Sequence, residues 1–383
     1  MEKVIIIAVM LGVLLFVKLH ELIYDFVWNR LRLSLRFSKR AAFEGETLEL
    51  NEMLSNATPV PLPWVALKFQ VSRDLIFSNP GDIRNAQVSD YYYRNDVFGL
   101  MMFQMITRKL SFVCGKRGFY TVKSADLVGG NLLLNNKIVS HVQCDTALIV
   151  YPKPLQSDWY TIPYKKISGE ILTRRFILPD LFEFKSIREY QPRDGLRSVN
   201  FKATARTGHL MSNVYDYTTS QQIIIILNLQ PYASWNGDVL FEQAIRLAAS
   251  IAERCVSDGI ACGLVSNGKD IITKLALDIK SGAGKKHLCN IYEALARIDT
   301  RSEAAPLILD KSLGKTAYDA GDTAFFLISA YHGNDLLSAF SRLCANYPAI
   351  WVIPAFKDTN LTPATENIMK WEVADNEQGT LYY

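Results

Sequence analysis

The sequence predicts a multi-domain α+β protein: an N-terminal membrane helix, an antiparallel β-sandwich-like domain, then a doubly wound α/β domain of Rossmann type. Three observations carry that prediction. The chain is 383 residues long, a length of two to three domains. It begins with an unbroken apolar run, and near residue 222 its hydrophobic pattern changes from period two to an alternation of strands and helices. The composition, 49% hydrophobic and 21% charged, is that of an ordinary globular protein and excludes disordered, collagenous and multi-span membrane classes. A net charge of +4 is too small and too diffuse for a dedicated nucleic-acid binder, so no nucleic-acid partner is expected.

Residues 1–28 are read as a transmembrane or membrane-anchor helix. Val4 to Val17 is an apolar run of 14 residues, short of the roughly 20 that span a bilayer core. No small-x-small cleavage site follows. Instead Leu19, Leu22, Ile23, Phe26 and Val27 recur at helical spacing, which predicts that the helix continues as an uncleaved anchor. Lys18 is expected to snorkel, with Tyr24 and Trp28 as aromatic belt residues at the interface. Arg30, Arg32, Arg36, Lys39 and Arg40 follow with no acidic residue among them. Retention of such a flank in the cytoplasm predicts a cell-membrane protein with its soluble body on the cytoplasmic side. The same arginines also alternate with Leu31, Leu33, Leu35 and Phe37 as an exposed strand would, and the two readings are compatible. Six cysteines are scattered without metal or redox spacing, which suits buried thiols in a reducing compartment.

From residue 31 to 152 the period is two, in TLELNEMLSN, WVALKFQVS, KLSFVCGKRGFYTV and DTALIVYP. Turn clusters such as Asn79-Pro80-Gly81-Asp82 and Gly129-Gly130-Asn131 separate them. This is the β-sandwich-like domain, closed by Pro152 and Pro154. Residues 153–221 form a linker of mixed charge. At Gln222 the run IIIILNL, apolar on both faces, reads as a strand buried in a parallel sheet. An apolar helical stripe follows through Leu240, Phe241, Ala244, Ile245, Ala248, Ile251, Ala252 and Cys255, stopped by Gly259. Strand IACGLVS, helix KKHLCNIYEALARI, strand TAFFLIS, helix NDLLSAFSRLCANY and strand AIWVIPAF continue the series to residue 356. Residues 357–383 read as a polar tail.

Familiar chemistries are missing from this chain. His20, His141, His209, His287 and His332 are too far apart to pair as zinc ligands. In Gly263-Leu264-Val265-Ser266-Asn267-Gly268 the serine falls one place too late for a nucleophile elbow. Gly282-Ala283-Gly284-Lys285-Lys286 has Ile279 where a phosphate loop needs its first glycine and Lys286 where it needs Ser or Thr, and is expected to be a flexible loop. No G-x-G-x-x-G follows the first α/β strand. Asn56-Ala57-Thr58 matches a glycosylation sequon but needs no function. No catalytic residue, metal or cofactor is assigned, and the protein is expected not to be an enzyme.

The constellation with most content is IREYQPRDGLRSVNFKATARTGHLM, residues 187–211. Pro192-Arg193-Asp194-Gly195 is a turn, and Arg188, Arg197 and Arg206 surround it. In a structural reading Asp194 pairs with Arg197 while Tyr190 and Phe201 pack, pinning the linker to the next domain. In a functional reading the segment is a charged surface for a partner.

This stretch resembles the signature of the bacterial DUF-58 family, roughly R-x-Y-x-x-G-D-x-x-R-x-I-x-W followed by A-R and a turn containing Gly and Leu. Arg188, Tyr190, Asp194, Arg197, Asn200, Ala205, Arg206, Gly208 and Leu210 match it in order and spacing, while Arg193, Val199 and Phe201 replace its Gly, Ile and Trp. Arg117-Gly118-Phe119-Tyr120 and Val150-Tyr151-Pro152 resemble further family segments. The resemblance implies an N-terminal hydrophobic anchor, a β-domain and a von Willebrand factor A-like α/β domain. In such domains D-x-S-x-S after the first strand holds a metal. The equivalent positions here are Asn228, Gln230 and Tyr232, a degenerate set without carboxylate or hydroxyl donors of the right kind. Asn334 and Asp335, near the same edge, read as helix-capping residues.

The resemblance further implies a non-enzymatic, membrane-anchored scaffold or adaptor that works with a MoxR-type AAA+ ATPase in assembly or maturation of a complex. The alternative is an envelope-facing binding module that engages cell-wall or extracellular partners. The basic flank opposes that orientation. The client and the oligomeric state are not legible in the sequence.

Overall fold

The computed structural model describes residues 2–78, 91–130, 137–155, 160–161, 163–167, 184–191, 195–215, 221–231, 237–300, 304, 306–307, 309, 322–356 and 366–373. The chain divides into two compact units, Met1–Lys153 and Pro154–Tyr383.

The first unit opens with helix α1 (Glu2–Trp28). Strands β1 (Leu31–Phe37), β2 (Ala41–Phe43), β3 (Thr47–Asn56), β4 (Leu62–Ser72), β5 (Leu75–Phe77), β6 (Tyr91–Leu100), β7 (Met105–Cys114), β8 (Gly118–Gly130) and β9 (Lys137–Tyr151) follow. They form two sheets, ordered β1-β3-β7-β5 and β2-β9-β8-β4-β6. Every pairing is antiparallel except β2 with β9. The period-two pattern buries one side of each strand: in β3, Leu48, Leu50 and Leu54 face inward and pack with Leu67, Phe69, Phe112 and Leu148. Arg32 and Arg36 lie on the exposed face of β1, as their alternation predicts.

Two expectations change here. Tyr24 and Trp28 are not belt residues at a membrane surface; they are 2% and 5% exposed and belong, with Val27, to the hydrophobic core of the strands. Trp28 lies so close to Gly129 that a side chain there would strike its ring. Burial in a protein core removes more apolar area from water than an interface can, so the last turns of α1 are part of the β-domain. Among the described residues, no helix is long and apolar enough to cross a membrane, so the spanning helix expected at residues 1–28 has no support in the fold. The apolar run is short and Lys18 closes it.

The sandwich also holds charge. Glu52, Arg94 and Asp96 are buried, and Asp96 pairs with Arg94 (Nε to Oδ2, 3.1 Å) and with Arg108 (Nη1 to Oδ1, 3.1 Å). Glu52 has no such base on either oxygen. Burial first, and the neighbouring Asp96 second, push its carboxyl up to about 8, so it is protonated at neutral pH. Asn56, in the sequon, is also buried. Its Nδ2 donates to the Val60 and Met101 carbonyls while Oδ1 accepts from Thr58. It fastens two loops and is not presented for modification.

The second unit contains a hairpin of β10 (Phe184–Glu189) and β11 (Met211–Tyr215), joined through a 3-10 turn (Leu196–Ser198) and the short helix α2 (Phe201–Thr207). The α/β part follows as β12 (Gln222–Asn228), α3 (Gly237–Ser257), β13 (Ala261–Asp270), β14 (Ala276–Gly282), α4 (Lys285–Ala296), β15 (Ile298–Asp299), β16 (Thr323–Ser329), α5 (Asn334–Asn346), β17 (Ala349–Phe356) and β18 (Ile368–Val373). The sheet order is β14-β13-β12-β16-β17-β18, with β15 also on β13. β13, β12, β16, β17 and β18 are mutually parallel, and β14 and β15 run antiparallel. All of β16 is buried, and so is β12 beyond Gln222, as expected of strands covered on both faces. Leu336, Phe340 and Leu343 of α5 pack with Ile224, Ile226, Phe325, Leu327 and Trp351 on one face. α3, outside that cluster, lies against the same strands and against α4.

Two further corrections belong to this unit. Ile368–Val373, inside the expected tail, forms the edge strand β18 and buries Ile368, Trp371 and Val373. The expected flexible loop at 282–286 instead ends β14 and starts α4, with Gly284 at a positive φ of 89° at the junction. The cysteines form no disulfide; Cys114, Cys144, Cys255 and Cys262 are buried, and the hydrogen bond with Cys262 first, then burial, raises the Cys255 thiol.

Candidate functional site

Two places bear on function: the carboxyl edge of the parallel sheet and the signature segment within the stretch that precedes β12. The chain enters the sheet at β12, places β13 on one side and returns to place β16 on the other. That reversal is where open α/β sheets form ligand crevices, beyond the carboxyl ends of the strands. Asn228 is the last residue of β12 and is paired in register with Ser329, the last of β16.

The crevice is closed by hydrogen bonds. Asn228 Nδ2 donates to Ser329 Oγ at 3.0 Å. Asn228 Oδ1 accepts from Asn267 Nδ2 at 2.7 Å and from the Gln230 amide at 3.0 Å, which occupies both its lone pairs. Asn267 Oδ1 in turn accepts from the Leu229 amide at 2.8 Å, and Ser329 Oγ donates to the Tyr331 carbonyl at 2.7 Å. Asn228 and Ser329 are both fully buried. Of the degenerate metal positions, Asn228 is thus the hub of a neutral network, Gln230 contributes its backbone amide, and Tyr232 lies outside the described residues. Amides and a hydroxyl that satisfy one another give a hard cation neither charge nor open lone pairs. Among the described residues no three His, Cys, Asp or Glu side chains are gathered as a metal site.

Beyond this network the Tyr331 hydroxyl donates to Asp335 Oδ1 at 2.8 Å. That bond holds the exposed Asp335 carboxyl below its ordinary range and pushes the phenol up. The expected capping role of Asn334 and Asp335 is corrected: the N-cap of α5 is Gly333, with no side-chain cap.

The signature segment is built in the opposite sense. Its polar residues look inward and knit it together. Asn200 caps α2, its Oδ1 accepting from the Ala203 amide at 2.9 Å, and its Nδ2 donates to Asn213 Oδ1 at 2.7 Å on β11. Ser212, buried on β11, donates to Ser198 Oγ at 2.8 Å, and the Met211 amide donates to Thr204 Oγ1 at 3.0 Å. Gly208 ends α2 with φ 74°, a left-handed conformation that favours glycine. Arg188 Nη1 donates to the Glu189 carbonyl, and the Tyr190 amide donates to the Leu210 carbonyl.

The large apolar residues look outward. Leu196 is 78% and Phe201 79% exposed, and Ile187 and Leu210 are exposed too. The expectation that Phe201 packs is therefore corrected: α2 buries none of its residues and is fastened to the hairpin by hydrogen bonds. Arg206 and Lys202 are exposed on the same helix. Asp194 and the side chain of Arg197 lie outside the described residues, so their expected pairing has no structural counterpart here. Between residues 184 and 215 six basic side chains stand against two acidic ones. Sequence reading found this segment through its motif and in one of its two readings packed Tyr190 and Phe201; the exposure of Leu196 and Phe201 follows from the 3-10 turn and the short helix that carry them.

A Bacillus subtilis (strain 168) protein described as uncharacterized protein YeaD is 28% identical over 85 residues, 22% of this chain and 20% of that protein. The chain thus matches about a fifth of the length of that relative. Solved structures similar to parts of the chain include the seventh ScaB type I cohesin of Pseudobacteroides cellulosolvens, at 14% identity over 33% of this chain and 96% of that one, with a TM-score of 0.21. Another is the CARDB domain of the PF1109 protein of Pyrococcus furiosus, at 12% identity over 31% and 94%, with a TM-score of 0.20. Similarity at that level carries no argument about fold or function. Residues 186–366, which hold the signature segment and the α/β sheet up to but not including β18, match the model of the family described as Protein of unknown function DUF58.

Proposed function

We propose that the chain is a non-enzymatic scaffold or adaptor, held at the cell membrane by α1, whose signature segment docks a protein partner. The observation that carries this reading is the outward presentation of Leu196 and Phe201 beside a basic helix. Exposed apolar anchors within a charged rim are the usual anatomy of a recognition surface. The excess of basic residues calls for an acidic partner surface with an apolar pocket. By resemblance to the family the partner is a MoxR-type AAA+ ATPase. The α/β part is read as a von Willebrand A-like domain whose metal position has become the neutral Asn228 network, so docking there needs no metal.

Membrane attachment is supported by α1 itself. Val13, Leu14, Leu15 and Phe16 are consecutive and all exposed, so the helix is apolar around its circumference, an arrangement that calls for an apolar medium. The basic residues after it favour a cytoplasmic body. The test of docking is co-purification of the full chain with an ATPase of that type under nucleotide-trapping conditions. Capture by the parent chain and at least tenfold weaker capture by Leu196→Ser/Phe201→Ser is expected. Equal capture by both overturns the assignment of the surface. Protease digestion of a C-terminal epitope in intact protoplasts, without lysis, would overturn the cytoplasmic orientation and favour an envelope-facing binding module.

A further inference from the structure

We infer that the first unit rests on the lipid surface through the β6–β7 loop, so that α1 is one of two membrane contacts. This deepens the membrane reading above and depends on it.

Strand register places the loop and the helix together. Leu31, just after α1, lies opposite Asn56 at the end of β3; Ser55 lies opposite Met105; and Leu62 lies opposite Leu100. The end of α1, the β3–β4 loop and the β6–β7 loop therefore share one pole of the sandwich. Trp28 is seated at the same pole, against Gly129, which pairs with Val65 near the start of β4.

The chemistry of that pole suits lipid. The β3–β4 and β6–β7 stretches of that pole, Asn56 to Leu67 and Val97 to Thr107, contain no charged residue, while Arg30 after α1 and Lys137, opposite Gly130, place basic residues at the same end, where an anionic headgroup would meet them. Met101, Met102, Phe103 and Met105 are all exposed, Phe103 by 69%. Phe103 has φ 49°, a left-handed conformation in which a bulky residue is an outlier, and the strain persists at the tip where the ring points to solvent. The loop also satisfies much of its own backbone. The Met101 amide donates to Gln104 Oε1 at 2.7 Å and the Phe103 amide to the Thr58 carbonyl at 3.0 Å. The Met101 carbonyl accepts from Asn56 Nδ2 at 3.0 Å, and the Gln104 carbonyl accepts from the Asn56 amide at 2.9 Å. A loop that leaves these groups paired can enter a low-dielectric interface without the cost of bare amides. The apolar run of α1 adds reason for a second contact, because 14 helical residues measure about 21 Å against a hydrocarbon core of about 30 Å.

The test uses the full chain with Cys289→Ser and Cys344→Ser, an environment-sensitive fluorophore on one new cysteine, and vesicles of mixed phosphatidylethanolamine and phosphatidylglycerol. Labels are placed in turn by Met102→Cys, Leu15→Cys and Arg73→Cys, the last at the opposite pole. Blue-shifted emission and quenching by spin-labelled lipid at positions 102 and 15, but not 73, is the expected result. A response at 15 without one at 102 overturns the inference and leaves the helix anchor standing. Failure of the chain to float with vesicles at all removes both; a concentration-dependent dimer by sedimentation, with position 102 protected, would then assign the pole to a second copy of this chain.

Discussion

At the carboxyl edge of the parallel sheet, Asn228 spends its amide on Ser329, Asn267 and the backbone, whereas the signature segment thirty residues or so earlier spends its amides internally and turns Leu196 and Phe201 to water. The first arrangement seals a crevice that the topology would otherwise leave open; the second leaves a surface unfinished. An unfinished apolar surface beside fixed positive charge is costly to carry unless something covers it, while a sealed amide network costs nothing once formed. The difference points the search for function toward the segment and away from the sheet edge.

The comparison breaks most readily at Asn228. Asn228→Leu removes the hub, taking from Asn267 Nδ2 and the Gln230 N–H the acceptor they share and from Ser329 Oγ the donor it accepts from; a loss of about 3 kcal/mol by urea denaturation is expected. A loss below about 1 kcal/mol would mean that water enters and the edge is an open site after all.

A second sealed polar group, Glu52, sharpens the point through pH. Its folded-state value of about 8 lies above the ordinary 4.5, so between those values the folded chain keeps a proton that the unfolded chain has lost. Stability therefore falls as pH rises through this window and levels off above it. A fall on the order of 2 kcal/mol, discounted for solvent relaxation around Asp96, Arg94 and Arg108, is expected to vanish in Glu52→Gln. Equal pH dependence in both chains would show that Glu52 is ionised within the fold.

Within the signature segment, Asn200→Ala loses a cap and a cross-link to Asn213 and is expected to cost about 1 kcal/mol, read as thermal stability. The smallest effect on stability is expected of Leu196→Ser/Phe201→Ser, within about 0.5 kcal/mol of the parent chain. A loss of 2 kcal/mol or more there would show that the residues pack and that the segment is an interdomain lock.

Much of this architecture is legible in the sequence. IIIILNL and TAFFLIS read as buried strands because both faces are apolar, and the stripe from Leu240 to Cys255 read as a helix because its spacing allows nothing else. Ile368–Val373 was missed because six residues broken by Lys370 and Glu372 carry too little pattern to stand out in a polar stretch. Glu52, Arg94 and Asp96 were invisible because charge at an inward position contradicts the alternation that identifies a strand. Tyr24 and Trp28 were misassigned because amphipathic aromatics suit a membrane interface and a protein core equally well.

From the sequence come the periodicities, and through them the alternation of the main strands and helices from Gln222 to Phe356, the sandwich-like character of the first unit and the position of the signature motif. Local patterning suffices for these because it follows from which faces must be dry. Tertiary structure alone decided that Asn228 meets Ser329 and Asn267 across three strands, that Phe201 faces outward, and that Met101 to Phe103 share a pole with α1. The first depends on register between strands tens of residues apart, where a shift of one residue would turn every side chain to the other face; the other two depend on hydrogen bonds that fasten a short helix and a loop to distant segments.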